Sequence, residues 1–150
     1  SQMMALELRE RFRNLSVVTN SIQNALILAE NPGITIILTG GILNRDEYTL
    51  VNDFSSTLES IHIDIMFMTV TGIDPAIGCT DQRLSEIRIQ NQMHRCASRT
   101  IVLADSSKFG KASLLKICPF DEVDTIVTDS GISPELESRI RETGANLIIT

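Results

Sequence analysis

A carboxylate, two hydroxyls and two lysines lie close together at one point of the chain. Residues 104–111 read Ala-Asp-Ser-Ser-Lys-Phe-Gly-Lys and come directly after the apolar run 100–103. An open α/β sheet binds its ligands at the carboxyl ends of its strands, where this segment is expected to lie. Lys108 supplies positive charge for a phosphate, whereas Asp105 and Ser106 can bond to sugar hydroxyls. The segment therefore predicts a binding site for a polyhydroxy anion such as a sugar phosphate.

A second polar group ends the apolar run 15–19 and opens a segment with helical spacing. It consists of Thr19, Asn20 and Ser21. Hydroxyls, the amide and backbone N–H groups at the positive end of a helix can hold an anion. Serine and asparagine are also preferred helix caps in the absence of any ligand, so both interpretations stay open.

Two glycines and an arginine follow the next apolar run, 34–38. Gly40 and Gly41 permit positive φ angles and a close approach of the backbone to a ligand, although a tight turn needs the same freedom. Arg45 can hold a phosphate through its bidentate guanidinium, or it can lie in solvent.

Two acidic residues complete the candidate set. Asp74 follows Gly72 just past the apolar run 64–70, where its carboxylate can bind sugar hydroxyls, act as a base or cap a turn. Glu86 falls in the next helical segment. It is either an acid near the same site or a first-turn residue favoured by the helix dipole.

The elements that must position these groups are six short apolar, β-branched runs with helical segments between most of them. The runs are residues 15–19, 34–38, 64–70, 100–104, 125–128 and 146–149. Their nearly continuous apolar character is typical of parallel strands covered on both faces. Repeated alternation of strand and helix predicts an α/β domain: a mostly parallel open sheet with helices on both faces.

Five helices are predicted from apolar spacing and from capping residues. Their apolar residues are Met4, Leu8 and Phe12; Ile22, Ala25, Leu26 and Ala29; Phe54, Leu58 and Ile61; Leu84, Ile87, Met93 and Ala97; and Leu136 and Ile140 within 134–143. The last helix has Ser133 as its cap, Pro134 at its first position and Gly144 at its end. The first has no strand before it, so we expect a preceding strand and turn that this sequence does not include.

Composition and missing motifs exclude several classes of protein. A length of 150 residues fits one domain, and a net charge of -6 argues against nucleic-acid binding by this stretch. There is no apolar run of the roughly 20 residues needed to span a membrane. Three widely spaced cysteines and two histidines without metal spacing predict a cytoplasmic protein with no metal or cofactor. Motifs of serine hydrolases, nucleotide hydrolases and dinucleotide dehydrogenases are missing.

Five motifs, in their order along the chain, resemble the effector-binding domain of DeoR-type bacterial transcriptional repressors. They are Val-Val-Thr-Asn-Ser at 17–21, Leu-Thr-Gly-Gly at 38–41, Thr-Gly-Ile-Asp at 71–74, Ala-Asp-Ser-Ser-Lys-Phe-Gly at 104–110 and Val-Asp-Thr-Ile-Val-Thr-Asp at 123–129. The resemblance covers essentially the whole chain, 1–150. It implies the fold of ribose-5-phosphate isomerase and glucosamine-6-phosphate deaminase, and a role as a sensor of phosphorylated sugars or related metabolites.

The resemblance also implies partners and site residues. It implies a homo-oligomer that binds operator DNA only through an N-terminal winged helix-turn-helix, with a first strand and an Asp-x-Gly-Thr/Ser-Thr-like phosphate loop expected immediately before Ser1. The residues that it places around the effector are Thr19, Asn20, Ser21, Gly40, Gly41, Gly72, Asp74, Asp105, Ser106 and Lys108. Lys108 is the charged partner of the ligand, and Arg45 and Glu86 are candidates of second rank.

Two other functions are weighed against this one. The chain can be a sugar-phosphate isomerase or deaminase that uses Asp74 or Glu86 as general base, since a positioned carboxylate can transfer protons. It can also be an oligomerisation module without a ligand, which its acidic composition allows. The sensor is favoured because the motifs match it along the chain, and we therefore expect no enzymatic activity.

Overall fold

The computed structural model describes residues 2–51 and 57–150, which form two compact units. The first unit ends at Ser60, and the second runs from Ile61 to Thr150. None of the helices in these described ranges is both long enough and apolar enough to cross a membrane.

The first unit contains two helices, a pair of parallel strands and a short antiparallel hairpin. Its elements are α1 (Gln2–Arg11), β1 (Leu15–Thr19), α2 (Ile22–Ala29), β2 (Ile34–Leu38), β3 (Ile42–Asn44), β4 (Thr49–Val51) and a 3-10 helix (Thr57–Ser60). Strands β1 and β2 pair in parallel, with Leu15 opposite Ile34 and Thr19 opposite Leu38. Strands β3 and β4 form the hairpin.

The helices of the first unit pack through a small apolar core of Ala5, Leu28 and Ile34. Asn31 fixes the end of α1, because its side-chain Nδ2 donates to the carbonyl oxygens of Arg9 and Phe12, each at 2.7 Å. Its Oδ1 accepts from the N–H of Gly33 at 2.9 Å. A carboxamide carries both donors and an acceptor. This one side chain therefore satisfies carbonyl oxygens at the end of α1 and an N–H group in the turn after α2.

The second unit contains a four-stranded parallel sheet flanked by helices, and a three-stranded antiparallel sheet. Its strands are β5 (Ile63–Thr69), β6 (Gly72–Asp74), β7 (Gly78–Asp81), β8 (Ala97–Leu103), β9 (Leu115–Cys118), β10 (Thr125–Thr128) and β11 (Asn146–Ile149). The helices are α3 (Leu84–Cys96) and α4 (Pro134–Glu142), with 3-10 turns at Ser106–Lys108 and Phe120–Glu122. The parallel strands lie in the order β11-β10-β8-β5, and the antiparallel strands in the order β6-β7-β9.

One face of the parallel sheet forms the core of the second unit. Met68, Val102, Ile126 and Leu147 are register neighbours across all four strands, and all are at most 4% exposed. On the other face Phe67 and Ile148 remain 42% and 44% exposed. Among the described residues, one face of the sheet is therefore fully covered, as predicted, and the other face is covered only in part.

The predicted α/β fold is confirmed, with most strands at their expected places. Runs 15–19, 34–38, 125–128 and 146–149 are strands with those bounds, whereas β5 begins and ends one residue earlier than predicted. Strand β8 begins at Ala97 because α3 leads into it directly. The short antiparallel strands were not predicted, since their residues form neither a conspicuous apolar, β-branched run nor a recognisable alternation.

The predicted helices are found with some corrections. α2 buries Ala25 and Leu28, whereas Leu26 is 67% exposed. α3 buries Glu86 and Ile89, whereas Leu84 is 73% exposed. In both helices the buried face is shifted around the helix axis from the predicted one. The elements that pack against a helix decide which face is buried, and the number of apolar residues on a face does not.

Of the two further predicted helices, the structure describes one in part and the other completely. The helix predicted from Phe54, Leu58 and Ile61 lies partly outside the described residues, and only its 3-10 portion Thr57–Ser60 is described. α4 begins as predicted, since the Ser133 hydroxyl accepts from the N–H of Leu136 at 3.3 Å.

The buried row across the parallel sheet generates a stability prediction. We expect Ile126→Ala to lower the free energy of unfolding by about 2–5 kcal/mol, because it leaves a cavity at a fully buried site. Ile148→Ala, on the exposed face of the neighbouring strand, should cost about 1 kcal/mol or less because much of its side chain already contacts water. Urea unfolding followed by circular dichroism checks this, and equal losses for the two variants would contradict the assignment of faces.

Candidate functional site

The loop after β8 is held in shape by its own carboxylate. Asp105 caps the 3-10 turn Ser106–Lys108, and its Oδ1 accepts from the N–H of Ser107 at 3.0 Å and from the Ser107 hydroxyl. These hydrogen bonds from Ser107, assisted by the charge of Lys108, hold the pKa of Asp105 below its ordinary value. The loop therefore presents an ionised carboxylate next to an ammonium group.

A second carboxylate supports the same loop from the end of β10. Asp129 accepts from the N–H of Ser106 and from the N–H of Gly131, each at 2.8 Å. The hydrogen bonds from Ser106, followed by that from Gly131, hold the pKa of Asp129 below its ordinary value. A β-carbon on Gly131 would lie 2.5 Å from the Ser106 hydroxyl and 2.8 Å from Oδ1 of Asp129, so a side chain at position 131 would force these two side chains to shift.

Asp129 supports the loop of the predicted site but is not among the residues predicted from the sequence. It directly follows the predicted strand 125–128, which was recognised, and it ends the last of the five motifs. Because β8 and β10 are adjacent and parallel, residues that follow these two strands lie at the same edge of the sheet. The sequence shows that Asp129 follows a strand, but it does not show that this strand lies next to β8.

The same loop is joined to β6 at its other end. Phe109 pairs with Ile73 in a parallel bridge, and the N–H of Gly110 donates to the carbonyl oxygen of Ile73 at 2.9 Å. Phe109 is only 5% exposed and packs into the core, while Lys108 next to it is half-buried. The structure thus brings the predicted residues of β6 together with those of the loop after β8.

Gly72 and Asp74 on β6 both have contacts within the protein that account for their residue types. A β-carbon on Gly72 would lie 2.7 Å from the carbonyl oxygen of Lys111 and 2.7 Å from the Thr80 hydroxyl. The Oδ1 of Asp74 accepts from the N–H groups of Ala76 at 2.8 Å and Ile77 at 3.1 Å. Of the roles open to Asp74, the turn cap is the one seen here, and its part in a binding site stays a prediction.

Glu86 lies on another element, in the first turn of α3, and is only 3% exposed. Its N–H donates to the carbonyl oxygen of Arg83 at 3.0 Å. Arg83 in turn holds the fully buried Asp81 through its backbone N–H and Nε, both at 2.9 Å from Oδ1, and through Nη2 at 2.6 Å from Oδ2. Burial raises the pKa of Asp81, but the bonds and charge of Arg83, with Gln90, outweigh it and hold the pKa below its ordinary value.

The first unit brings Thr19, Asn20 and Ser21 together with the β3–β4 hairpin. The Ser21 hydroxyl accepts from the N–H of Asn24 at 3.2 Å, and the Thr19 hydroxyl accepts from the N–H of Ser21 at 3.1 Å. Asn20 pairs with Leu50 of β4, since its carbonyl oxygen accepts from the Leu50 N–H at 2.7 Å. Ser21 is therefore a helix cap, and the anion-binding role of this turn stays a prediction.

The glycines of the first unit lie beside the same turn. The N–H of Thr39 donates to the carbonyl oxygen of Thr19 at 3.2 Å, and Gly40 and Gly41 follow with φ angles of 78° and 112°. The buried hydroxyl of Thr39 has no hydrogen-bond partner among the described residues. Arg45 directly follows β3 and lies in the exposed turn between β3 and β4.

Neither histidine is near a group of metal ligands. The Nδ1 of His94 lies 2.8 Å from the Thr100 hydroxyl, and its Nε2 lies 3.1 Å from Glu122. In the ranges 2–51 and 57–150, no three His, Cys, Asp or Glu side chains are grouped so as to hold a metal ion.

The buried pair of Asp81 and Arg83 generates a pH prediction. Because the pKa of Asp81 is depressed on folding, its stabilisation is complete above the unfolded value of about 3.9 and is lost as the pH falls through the lower folded value. Arg83→Ala should lower the free energy of unfolding at pH 7 by about 1.5–3 kcal/mol, since a buried carboxylate loses its charged partner.

The measurement is urea unfolding of both proteins between pH 7 and pH 3. The deficit of Arg83→Ala should shrink as the pH falls below about 4, because protonated Asp81 no longer needs the arginine. Asp105 and Asp129 titrate in both proteins, so their contributions cancel in the difference. A deficit that stays constant over this range would show that Arg83 acts through packing and not through charge.

Known proteins match the chain along most of its length. The family described as "DeoR C terminal sensor domain" matches residues 1–130, which include all twelve predicted site residues. The HTH-type transcriptional regulator GolR of Listeria innocua is 31% identical over 134 residues, which cover 89% of this chain and 53% of that protein. The putative aga operon transcriptional repressor of Escherichia coli O157:H7 is 32% identical over 143 residues, 95% of this chain and 53% of that protein.

A third relative gives the same picture. The HTH-type transcriptional regulator IolR of Bacillus subtilis is 32% identical over 124 residues, 82% of this chain and 49% of that protein. The chain thus spans about half the length of the curated relatives it matches. The five motifs, the α/β fold and the match over residues 1–130 agree: this chain belongs to the family of DeoR C-terminal sensor domains.

Proposed function

We propose that this chain is the effector-sensing domain of a DeoR-family transcriptional regulator and that its effector is a phosphorylated sugar or a related metabolite. The observation that carries the proposal is the ordered loop at the carboxyl end of β8, in which Lys108 follows the cap residue Asp105. Asp129 supports the loop from one side and β6 holds it on the other. A loop that is fixed before binding loses less entropy when a ligand arrives.

The charges in this loop favour a ligand with both a phosphate and hydroxyl groups. Lys108 is half-buried, and its ammonium group supplies positive charge for an anion at the edge of the sheet. Asp105 and Asp129 are acceptors only, and each has acceptor positions beyond those used by the backbone. They would repel a phosphate but accept hydrogen bonds from sugar hydroxyls. The phosphate therefore belongs beside Lys108 and the sugar beside the carboxylates.

The first unit offers a second set of groups for the effector. Thr19, Asn20 and Ser21 lie at the N terminus of α2, where backbone N–H groups and the helix dipole favour negative charge. The buried Thr39 hydroxyl, next to Gly40, has no hydrogen-bond partner in the ranges 2–51 and 57–150. We include this turn and the two glycines among the proposed effector-binding residues, with Arg45 and Glu86 as candidates of second rank.

The proposal extends to control of DNA binding by a different part of the protein. Effector binding shifts the protein between operator-binding and released states only if the two states bind the effector with different affinities. DNA contact is assigned to an N-terminal winged helix-turn-helix, which is consistent with a net charge of -6 on this chain. Relatives named as transcriptional regulators support a sensor without enzymatic activity.

Ligand-dependent stability of the full-length protein tests the proposal. A panel of phosphorylated and free sugars should include a phosphorylated one that raises Tm, since a ligand at 100 times its Kd stabilises by about 2.7 kcal/mol. Lys108→Ala should weaken this ligand by roughly 10- to 100-fold, because a hydrogen bond to a charged group contributes about 1.5–3 kcal/mol.

Lys111→Ala is the matched control, because Lys111 is an exposed lysine three residues further along the same segment. It should leave the affinity within about twofold, as solvated charges contribute little. The absence of any response to phosphorylated sugars by a folded full-length protein would count against the effector class. Equal losses for the two lysine variants would count against the placement of the phosphate.

A further inference from the structure

Three hydroxyl groups join β6 and β7 to the segment that follows Lys108. We name Thr71, Thr80 and Ser113 the hydroxyl clamp. The hydroxyls of Thr71 and Ser113 lie 2.9 Å apart, and the Thr71 hydroxyl also accepts from the N–H of Gln82 at 3.0 Å. The clamp thus ties residues more than thirty positions apart in the sequence.

Thr80 is the member of the clamp whose hydroxyl bonds to main-chain groups of two separate segments. Its hydroxyl donates to the carbonyl oxygen of Gly72 at 3.0 Å and accepts from the N–H of Ser113 at 2.8 Å. Thr80 is only 1% exposed, so water cannot readily replace it in either bond. A single buried hydroxyl therefore sets the separation between β6 and the backbone at position 113.

The close approach at Gly72 shows how tightly the segment lies against β6. The carbonyl oxygen of Lys111 is 2.7 Å from the place of a β-carbon on Gly72, and the Ser113 hydroxyl is 3.0 Å from it. The Gly110 N–H already bonds to the carbonyl oxygen of Ile73. The backbone from 109 to 113 is thus held at several points, directly after Lys108.

We propose that Thr80 is a positioning residue for effector binding, because it fixes the segment 109–113 and thereby keeps Lys108 at a constant place at the sheet edge. This inference rests on the proposed function for its consequence, but the clamp itself can be tested without any ligand. Without the hydroxyl of Thr80, the segment must be ordered when the effector binds, and that entropy reduces the affinity.

Trypsin reports directly on this segment, since it cleaves after lysine and Lys111 is exposed. In the full-length protein, Thr80→Val should raise the rate of cleavage after Lys111 by roughly tenfold, the order that loss of one or two hydrogen bonds allows. Thr80→Ser keeps the hydroxyl and should stay close to the wild-type rate. Cleavage after Arg45, in the first unit, is the internal reference and should not change.

Ser113→Ala is a milder variant that removes only the bond to Thr71, and it carries the test if Thr80→Val does not fold. It should raise cleavage after Lys111 by roughly two- to fivefold, as expected for one hydrogen bond at a partly exposed site. A rate after Lys111 unchanged from wild type in the folded variants would overturn the clamp. So would a Thr80→Ser rate equal to that of Thr80→Val, because the hydroxyl that serine keeps would then not protect the segment.

The effector arm separates this inference from the proposed function. With the phosphorylated sugar that stabilises the wild type, Thr80→Val should bind roughly tenfold more weakly, so it should need roughly ten times the ligand concentration for the same stabilisation. Faster cleavage with unchanged affinity would overturn the positioning role and leave the proposed effector intact. If no phosphorylated sugar binds the wild type, the proposed function and the positioning role both fail, while the cleavage rates still decide whether the clamp exists.

Discussion

The parallel pairing of β8 with β5 and β10 decides where the polar groups of the second unit lie. The register places Leu103 opposite both Thr69 and Val127, so the three strands end at nearly the same level. Their carboxyl ends therefore deliver the segment after β5, the loop after β8 and Asp129 to one edge of the sheet. The pairing is held by the buried row from Met68 to Leu147, whose removal from water is the main favourable contribution.

At this edge of the sheet, three carboxylates accept hydrogen bonds from backbone N–H groups of the protein itself. Asp105 caps its own turn, Asp129 accepts from Ser106 and Gly131, and Asp74 accepts from Ala76 and Ile77. Each turn is therefore formed before a ligand arrives, and each carboxylate still has acceptor positions that these bonds do not use. A sensor benefits from this arrangement, because binding energy is then available to shift the protein between states and need not order the site.

The sequence predicted the long elements well and the connections between them poorly. Strand β10 and helix α4 have local signals of their own, an apolar β-branched run and the pair Ser133 and Pro134. Strands β6, β7 and β9 have no such apolar run, and β9 pairs with β7 from more than thirty positions away in the sequence. The candidate site shows the same difference: Asp105 and Lys108 were proposed from their position after a strand, whereas Asp129 could be added only once β8 and β10 were known to be neighbours.

The sequence by itself determined the order of the parallel strands and the main helices, the polar residues at the strand ends and the family, because these depend on local spacing and on motifs. The tertiary structure decided which of these polar residues meet. Ser106 bonds to a carboxylate 23 positions away, and the backbone of Ser113 bonds to a hydroxyl 33 positions away. Such contacts exist only once the sheet has formed, since nothing in the neighbouring residues specifies a partner at that distance. The tertiary structure also showed that Asp74 and Ser21 cap turns, a role that their residue types had left open.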